Sequence, residues 1–334
     1  MEASNRILIV NGYGVRIGVH GNAISISSKE GKSFHPLWEV DAVIVSSGGV
    51  SVSSRLLRLL ASSGIELIVM DSRGMPVAIT YFSHLSRTPE TRRSQYIAFS
   101  SEKWVNYAKS MIACKISSQA ESLRRISLRK GKSPREYKKL KAISKEVLSK
   151  EPRSDPNDFR KEIVEKEAYA ARIYWSSIAS LLNYTLNFNG RDQDSSDPVN
   201  IALNYGYAPL YSYGFKYLVL SGLDPYAGFV HVDRSGKPTL VFDYIEQFRS
   251  SIVDEAITAL FMKKWRPRFE EGLLDRESRL CIIKAINERL SDQAINAYRP
   301  MSYAEALKEY AFRLASSLRS SSSYICSNYP GDPT

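Results

Sequence analysis

Ser83-His84-Leu85-Ser86-Arg87-Thr88-Pro89-Glu90 divides the chain into two kinds of sequence. Pro followed by Glu is a helix start, because proline's fixed φ suits the first turn and an acid there favours the helix dipole. Before this stretch the chain reads as short strands. Arg6–Val10, Val15–Val19, Ala23–Ser28, Ala42–Val45, Ile65–Met70 and Val77–Tyr81 are rich in Val and Ile. Asn11-Gly12, Gly14, Gly21-Asn22 and Asp71-Ser72-Arg73-Gly74 punctuate them as turns. One segment switches period: Leu56, Leu57, Leu59 and Leu60 form a helical stripe within Ser51–Ser63, and Gly64 ends it. After the division, helical patterning covers Thr91–Leu128, Pro134–Ser149, Asp158–Leu186, Pro198–Leu220, Tyr244–Lys264, Arg276–Leu290 and Tyr303–Ser317. The expected class is α+β: a small β-rich domain over 1–84, a linker over 85–90, and a larger all-α domain over 91–323. The chain is rich in Ser from Ser316 on and finishes Asn328-Tyr329-Pro330-Gly331-Asp332-Pro333-Thr334, so 324–334 reads as a flexible tail.

The 334 residues include 46 Lys and Arg against 35 Asp and Glu, a formal charge of +11. That balance favours a polyanionic partner. The excess is concentrated between Glu121 and Lys150, where eleven basic residues face three glutamates, a local +8. Arg124, Arg125, Arg129, Lys130, Lys132, Lys138 and Lys139 are its candidate phosphate contacts, and a solvated helical hairpin is the plainer alternative. No apolar run approaches a membrane span. Cys114, Cys281 and Cys326 are far apart and match no zinc spacing, so they are expected to stay reduced and carry no chemistry. With no signal-peptide pattern at Met1-Glu2-Ala3-Ser4-Asn5-Arg6, the expected location is the cytoplasm.

Chemistry is carried by a few side chains in the helical part. Only four histidines occur, and His231 alone is followed by a pair of acids at helical spacing, Asp243 and Glu246. One imidazole with carboxylates suits a hard or borderline divalent ion, Mg²⁺ or Mn²⁺. Glu167 lies beside the small residues Ala168, Ala170 and Ala171, which permit close helix packing. Taken alone, each has a bland reading: a solvated helix glutamate, a structural histidine, or acids serving a helix N-terminus. No Walker-type phosphate loop and no Gly-x-Ser-x-Gly elbow is present.

The ordered set of motifs resembles the CRISPR-associated protein one family. Glu167-Ala168-x-Ala170-Ala171-Arg172-x-Tyr174-Trp175 resembles its first metal motif. Asn200-x-x-Leu203-Asn204-Tyr205-Gly206-Tyr207 resembles its Asn/Tyr segment. Gly222-Leu223-Asp224-Pro225 through Gly228-Phe229-Val230-His231 resembles the second metal motif, and Asp243-x-x-Glu246-x-Phe248-Arg249 with Asp254 the third. Pro36-Leu37-Trp38-Glu39-Val40-Asp41 is similar to the family's β domain. Ala168, Pro209 and Ser250 depart from the family's usual residues, but none is a proposed ligand.

The resemblance implies an endonuclease and integrase that inserts spacers into a CRISPR array. Glu167, His231 and Glu246 would be metal ligands, Asp243 a supporting carboxylate, and Arg172 and Arg249 further DNA contacts. A DNA 3′-hydroxyl would attack a repeat phosphodiester by transesterification. The reverse reaction would disintegrate branched DNA, and water in place of the hydroxyl would give a nuclease. Implied partners are double-stranded and branched DNA, a second copy bound through the β domain (a homodimer), and CRISPR-associated protein two. Three alternatives remain open at this level: a related mobile-element integrase, a non-catalytic branched-DNA scaffold, and a general nucleic-acid hydrolase.

Overall fold

The computed structural model describes residues 7–40, 42–71, 76–80, 88–101, 103–151, 156–182, 187–232, 234–270, 272–294, 297 and 299–326. The chain divides into two units, 1–85 and 86–334. The expected turn at 72–74, linker residues 85–87 and tail residues 327–334 lie outside the described residues.

The first unit carries two four-stranded sheets. Strands β1 (Ile7–Val10), β5 (Ala42–Val45) and β7 (Glu66–Met70) run parallel, and β8 (Pro76–Ile79) joins β7 antiparallel. In the other sheet β4 (Gly31–Pro36), β3 (Ala23–Ser28) and β2 (Val15–His20) form an antiparallel meander, with β6 (Val50–Val52) parallel to β2. Helix α1 (Ser54–Ser63) lies between β6 and β7 in the chain; Ser53 caps its start and Gly64, at φ 73°, its end. Leu56 and Leu60 face inward one turn apart and join Ile17, Ile24, Val43 and Leu67 in one core. β4 was not foreseen. Gly31-Lys32-Ser33-Phe34-His35 lacks β-branched residues, and its strand state comes from pairing with β3 at a sheet edge.

The second unit is built around α3 (Trp104–Arg129). Most of its residues are buried, as expected of a helix covered on all sides. It packs against α4 (Tyr137–Ser149), α5 (Pro156–Leu181) and α7 (Thr239–Arg249). Helix α2 (Thr88–Ser100) precedes it, so the helical patterning over Thr91–Leu128 is divided between two helices. The apolar α6 (Pro198–Leu220) continues through Pro209. Within the helical patterning over Tyr244–Lys264, a π turn over Ser250–Asp254 joins α7 to α8 (Glu255–Met262). A two-stranded hairpin, β9 (Phe269–Glu270) and β10 (Leu273–Leu274), interrupts the expected all-α region before α9 (Arg276–Ser291). A Ser302–Glu305 capping box opens α10 (Tyr303–Ser320). Among the described residues no helix is long and apolar enough to cross a membrane.

Two expectations are corrected at the C-terminus. Tyr324 and Cys326 are buried rather than part of a flexible tail, and Gln247 Nε2 donates to the Tyr324 hydroxyl at 3.1 Å. Cys326 is joined to Cys114 as a disulfide, with Cα atoms 6.4 Å apart, instead of remaining a free thiol. The two cysteines are 212 residues apart in sequence, so only the folded packing of the chain's end against α3 brings them together.

The seating of α7 depends on a glycine. A Cβ at Gly214 on α6 would collide with the Ile245 side chain and press on Val241 Cγ1 at 3.3 Å. We expect Gly214→Ala to destabilise the unit by about 1–3 kcal/mol, the usual range for overpacking, read as a lower thermal midpoint. An unchanged midpoint would show that α6 and α7 can separate at no cost.

Candidate metal centre

The segment leading to His231 is held before its imidazole is aimed. Helix α6 ends in a Schellman arrangement, with Gly222 N–H donating to Val219 O and Leu223 N–H to Leu218 O. Gln95 on α2 then clamps the following loop. Its Nε2 donates to Asp224 O and Ala227 O at 3.0 and 2.7 Å, and its Oε1 accepts from Asp224 N–H. Gly228 must lack a side chain, because a Cβ there would lie 2.7 Å from Asp243 Oδ2 and 2.9 Å from Thr239 Oγ1.

Asp243 is buried on α7 and accepts the N–H groups of Phe229 (2.6 Å), Val230 (2.8 Å) and His231 (3.1 Å). Its Oδ1 also meets His231 Nδ1 at 2.5 Å. A carboxylate so placed fixes the ring and its tautomer, leaving Nε2 as the free edge. The hydrogen bond with Asp243 outweighs burial and raises the His231 pKa above the ordinary 6.5.

Glu167 comes from α5 and Glu246 from α7, and both border the same hollow as His231. Between the two glutamates stands Lys115 of α3. Its Nζ pairs with Glu167 Oε1 and lies 2.8 Å from Glu246 Oε2. Arg249 pairs with the other oxygen of Glu246. Burial opposes the charge on Glu246, but Arg249 and Lys115 outweigh it and hold its carboxyl at about 2. Burial likewise works against the Lys115 ammonium, and Glu246 and Glu167 overcome it, so its pKa rises.

Behind Arg249 lies a polar network whose residues the sequence motifs include without assigning them a role. The guanidinium sits 3.9 Å from the Tyr207 ring centroid. Tyr207 and Tyr174 donate to the two oxygens of Asp254 at 2.5 and 3.1 Å. Burial pushes the Asp254 carboxyl up to about 6, against those hydrogen bonds and Arg249. Arg191 ties Asn200 and Asn204 together. Lys115 was missed altogether by sequence reasoning. Its signal was a lone charge inside Met111-Ile112-Ala113-Cys114-Lys115-Ile116, where apolar neighbours imply burial.

A cleft of about 800 Å³ opens over the site, and Arg172, Arg191, Arg234, Lys237 and Arg249 contribute to its wall. A smaller hollow of about 390 Å³, walled by Met111, Ile112, Val164, Val230 and Val232, shares Lys115, His231 and Glu246 with it. A further cleft of about 820 Å³ is lined by Lys132, Arg135, Lys139 and Arg172, so Arg172 borders both large clefts.

The expected DNA contacts divide on burial. Lys132, Lys138, Lys139 and Arg172 are exposed, and Lys130 is partly so. Arg129 is half-exposed, 3.7 Å from Glu255, and Arg124 pairs with Glu121 at 3.1 Å. Arg125, by contrast, is largely buried and tied to Glu255, a fully buried carboxylate also held by Arg289. Removing it would take one of the charges that balance that carboxylate. Arg249 is likewise occupied with Glu246.

The donor set suits a divalent ion in kind, with one imidazole nitrogen and two carboxylates around one hollow. It does not form a ready cage: among the described residues no three acidic, imidazole or thiol groups stand close enough to hold a metal. The Lys115 ammonium stands between the two glutamates instead.

The Asp243–His231 pair makes a direct prediction. In Asp243→Asn the imidazole loses the partner that raises its pKa, so its NMR titration should move down toward 6.5. An unmoved midpoint would mean that Asp243 does not govern the ring.

The family described as CRISPR associated protein Cas1 matches residues 8–288. A protein of Pyrobaculum aerophilum named CRISPR-associated endonuclease Cas1 2 is 36% identical over 285 residues, covering 85% of this chain and 91% of its own. A namesake from Saccharolobus solfataricus is 32% identical over 323 residues, covering 96% and 97%. Among solved structures, "Casposase bound to integration product" superposes with a TM-score of 0.81 at 22% identity, over 97% of this chain and 94% of that one. "Structure of TM1797, a CAS1 protein from Thermotoga maritima" gives 0.75 at 18%, over 94% and 96%. With a match spanning most of its length and relatives above 30% identity, the chain belongs to the Cas1 family of CRISPR associated proteins.

Proposed function

We propose that the chain is a divalent-metal-dependent DNA endonuclease and integrase that joins a DNA 3′-hydroxyl to a phosphodiester of a CRISPR repeat. The convergence of Glu167, Glu246 and His231 on one hollow beneath a basic cleft carries this reading. The names of its relatives, CRISPR-associated endonucleases, support the reaction class.

Glu167, His231 Nε2 and Glu246 would hold Mg²⁺ or Mn²⁺. When bound, such an ion supplies Lewis acidity to a phosphodiester oxygen. Asp243 fixes the ring that presents Nε2, and Arg249 fixes one oxygen of Glu246. Arg172, Arg191, Arg234 and Lys237 offer charge to the phosphates on either side of the reacting one. In the reaction the incoming 3′-oxygen forms a bond to phosphorus as the repeat's own 3′-oxygen leaves with a proton. One phosphodiester replaces another, so no nucleotide triphosphate is consumed.

A homodimer through the β-rich unit, and association with CRISPR-associated protein two, belong to the same proposal. The latter is supported by the likeness to a chain of the "Cas6-RT-Cas1--Cas2 complex", with a TM-score of 0.75 at 17% identity over 98% of this chain and 36% of that one.

The test is strand transfer on branched DNA with Mn²⁺, Mg²⁺ or chelator. Glu167→Ala and His231→Ala should each lower the metal-dependent rate by about 100-fold or more, within the reach of a lost catalytic group, with DNA affinity retained. Undiminished activity in both would discard these ligands. DNA binding without chemistry under any metal would favour the scaffold reading.

The basic face makes a separate prediction. Charge reversal at Lys132, Lys138 and Lys139 should weaken DNA binding and flatten its salt dependence, by about 0.9 in slope for each phosphate that is no longer neutralised. Unchanged affinity and slope would remove these lysines from the DNA path.

A further inference from the structure

Lys115 is placed where a structural lysine is poorly explained. It rises from the middle of the buried α3, and its side chain is only 18% exposed. Its ammonium does not serve one partner but bridges two carboxylates from two other helices, and both are candidate metal ligands. Without a cation between them, Glu167 and Glu246 would bring two negative charges into a largely buried hollow, where like charges repel strongly. Arg249 cannot fill the gap, because it is engaged on Glu246 Oε1, the oxygen away from Lys115.

An ion ligating both glutamates must approach each oxygen to about 2.1 Å if it is Mg²⁺. Arg249 already holds Glu246 Oε1, so the oxygen left for an ion on that carboxylate is Oε2, the one that now meets Nζ, while Glu167 is paired with the same ammonium. An ammonium and a divalent cation cannot both stand between the two carboxylates, since the two positive charges would be in contact. Lys115 borders both the polar cleft and the smaller hollow, so its flexible stem has space to turn aside.

We infer that Lys115 is an internal counter-cation: it holds Glu167 and Glu246 together in the metal-free chain, and a divalent ion binds by displacing it. The inference rests on the metal reading above and adds a competitor to it. The lysine lowers apparent metal affinity in exchange for a site that stays formed when the ion is absent. It also explains why the ligand set converges on one hollow without forming a cage.

The test is calorimetric titration of the full chain with Mn²⁺, without DNA, for the wild type, Lys115→Met and Lys115→Arg. Removing the competing charge should tighten Mn²⁺ binding by about tenfold or more in Lys115→Met, given the strength of like-charge contacts in a partly buried site. The thermal midpoint of the metal-free variant should fall, and Mn²⁺ should restore it by more than it raises the wild type. Lys115→Arg keeps the charge and should bind Mn²⁺ no more tightly than wild type. If Lys115→Met does not fold, Lys115→Gln, neutral but able to hydrogen-bond, carries the same expectation. Affinity equal to or weaker than wild type in the neutral variant would overturn the inference alone. No Mn²⁺ binding by the wild type would overturn the metal reading itself, and the inference with it.

Discussion

Glu167 and Glu246 come from different helices and bring two largely buried carboxylates to one hollow, so some positive charge has to stand with them. Two cations answer that electrostatic demand. Lys115 reaches in from α3 and Arg249 braces the far oxygen of Glu246. The balance explains how Glu246 stays ionised although burial alone would neutralise it. Under the proposed function, a divalent cation would supply the positive charge that the two carboxylates require.

The second constraint is mechanical. Asp243 uses its oxygens on three successive backbone N–H groups and on His231, so the loop and the imidazole are set by one buried carboxylate. Gly228 lets that loop approach α7, and Gly214 lets α7 approach α6. Two absent side chains therefore decide where Asp243 and Glu246 can stand. The site is precise because it is hung on packed helices, with the segment leading to His231 tied to Gln95 and Asp243.

Much of this was legible in the sequence. Alternating Val and Ile marked most strands, and α6 was read at its observed limits because Asp197, Pro198 and the Gly222 turn are strong stop and start signals. Helical spacing placed Asp243 and Glu246 within one turn, and the motif order joined them to Glu167 and His231. What escaped depends on tertiary contact. β4 exists through its neighbour, and the Cys114–Cys326 link joins segments with no local signal. A basic count cannot show that Arg125 is buried on Glu255 while Lys132 faces solvent. Lys115 went unread because motifs collect acids and histidines, whereas the partner that balances them lies far upstream in an apolar helix.

The most direct measurement is anomalous diffraction from crystals of the chain grown with Mn²⁺. The account predicts one strong peak within coordination distance of Glu167, His231 Nε2 and Glu246, with the Lys115 ammonium moved off the two carboxylates. A peak elsewhere, or an ordered Lys115 bridge with no ion at a saturating Mn²⁺ concentration, would contradict it.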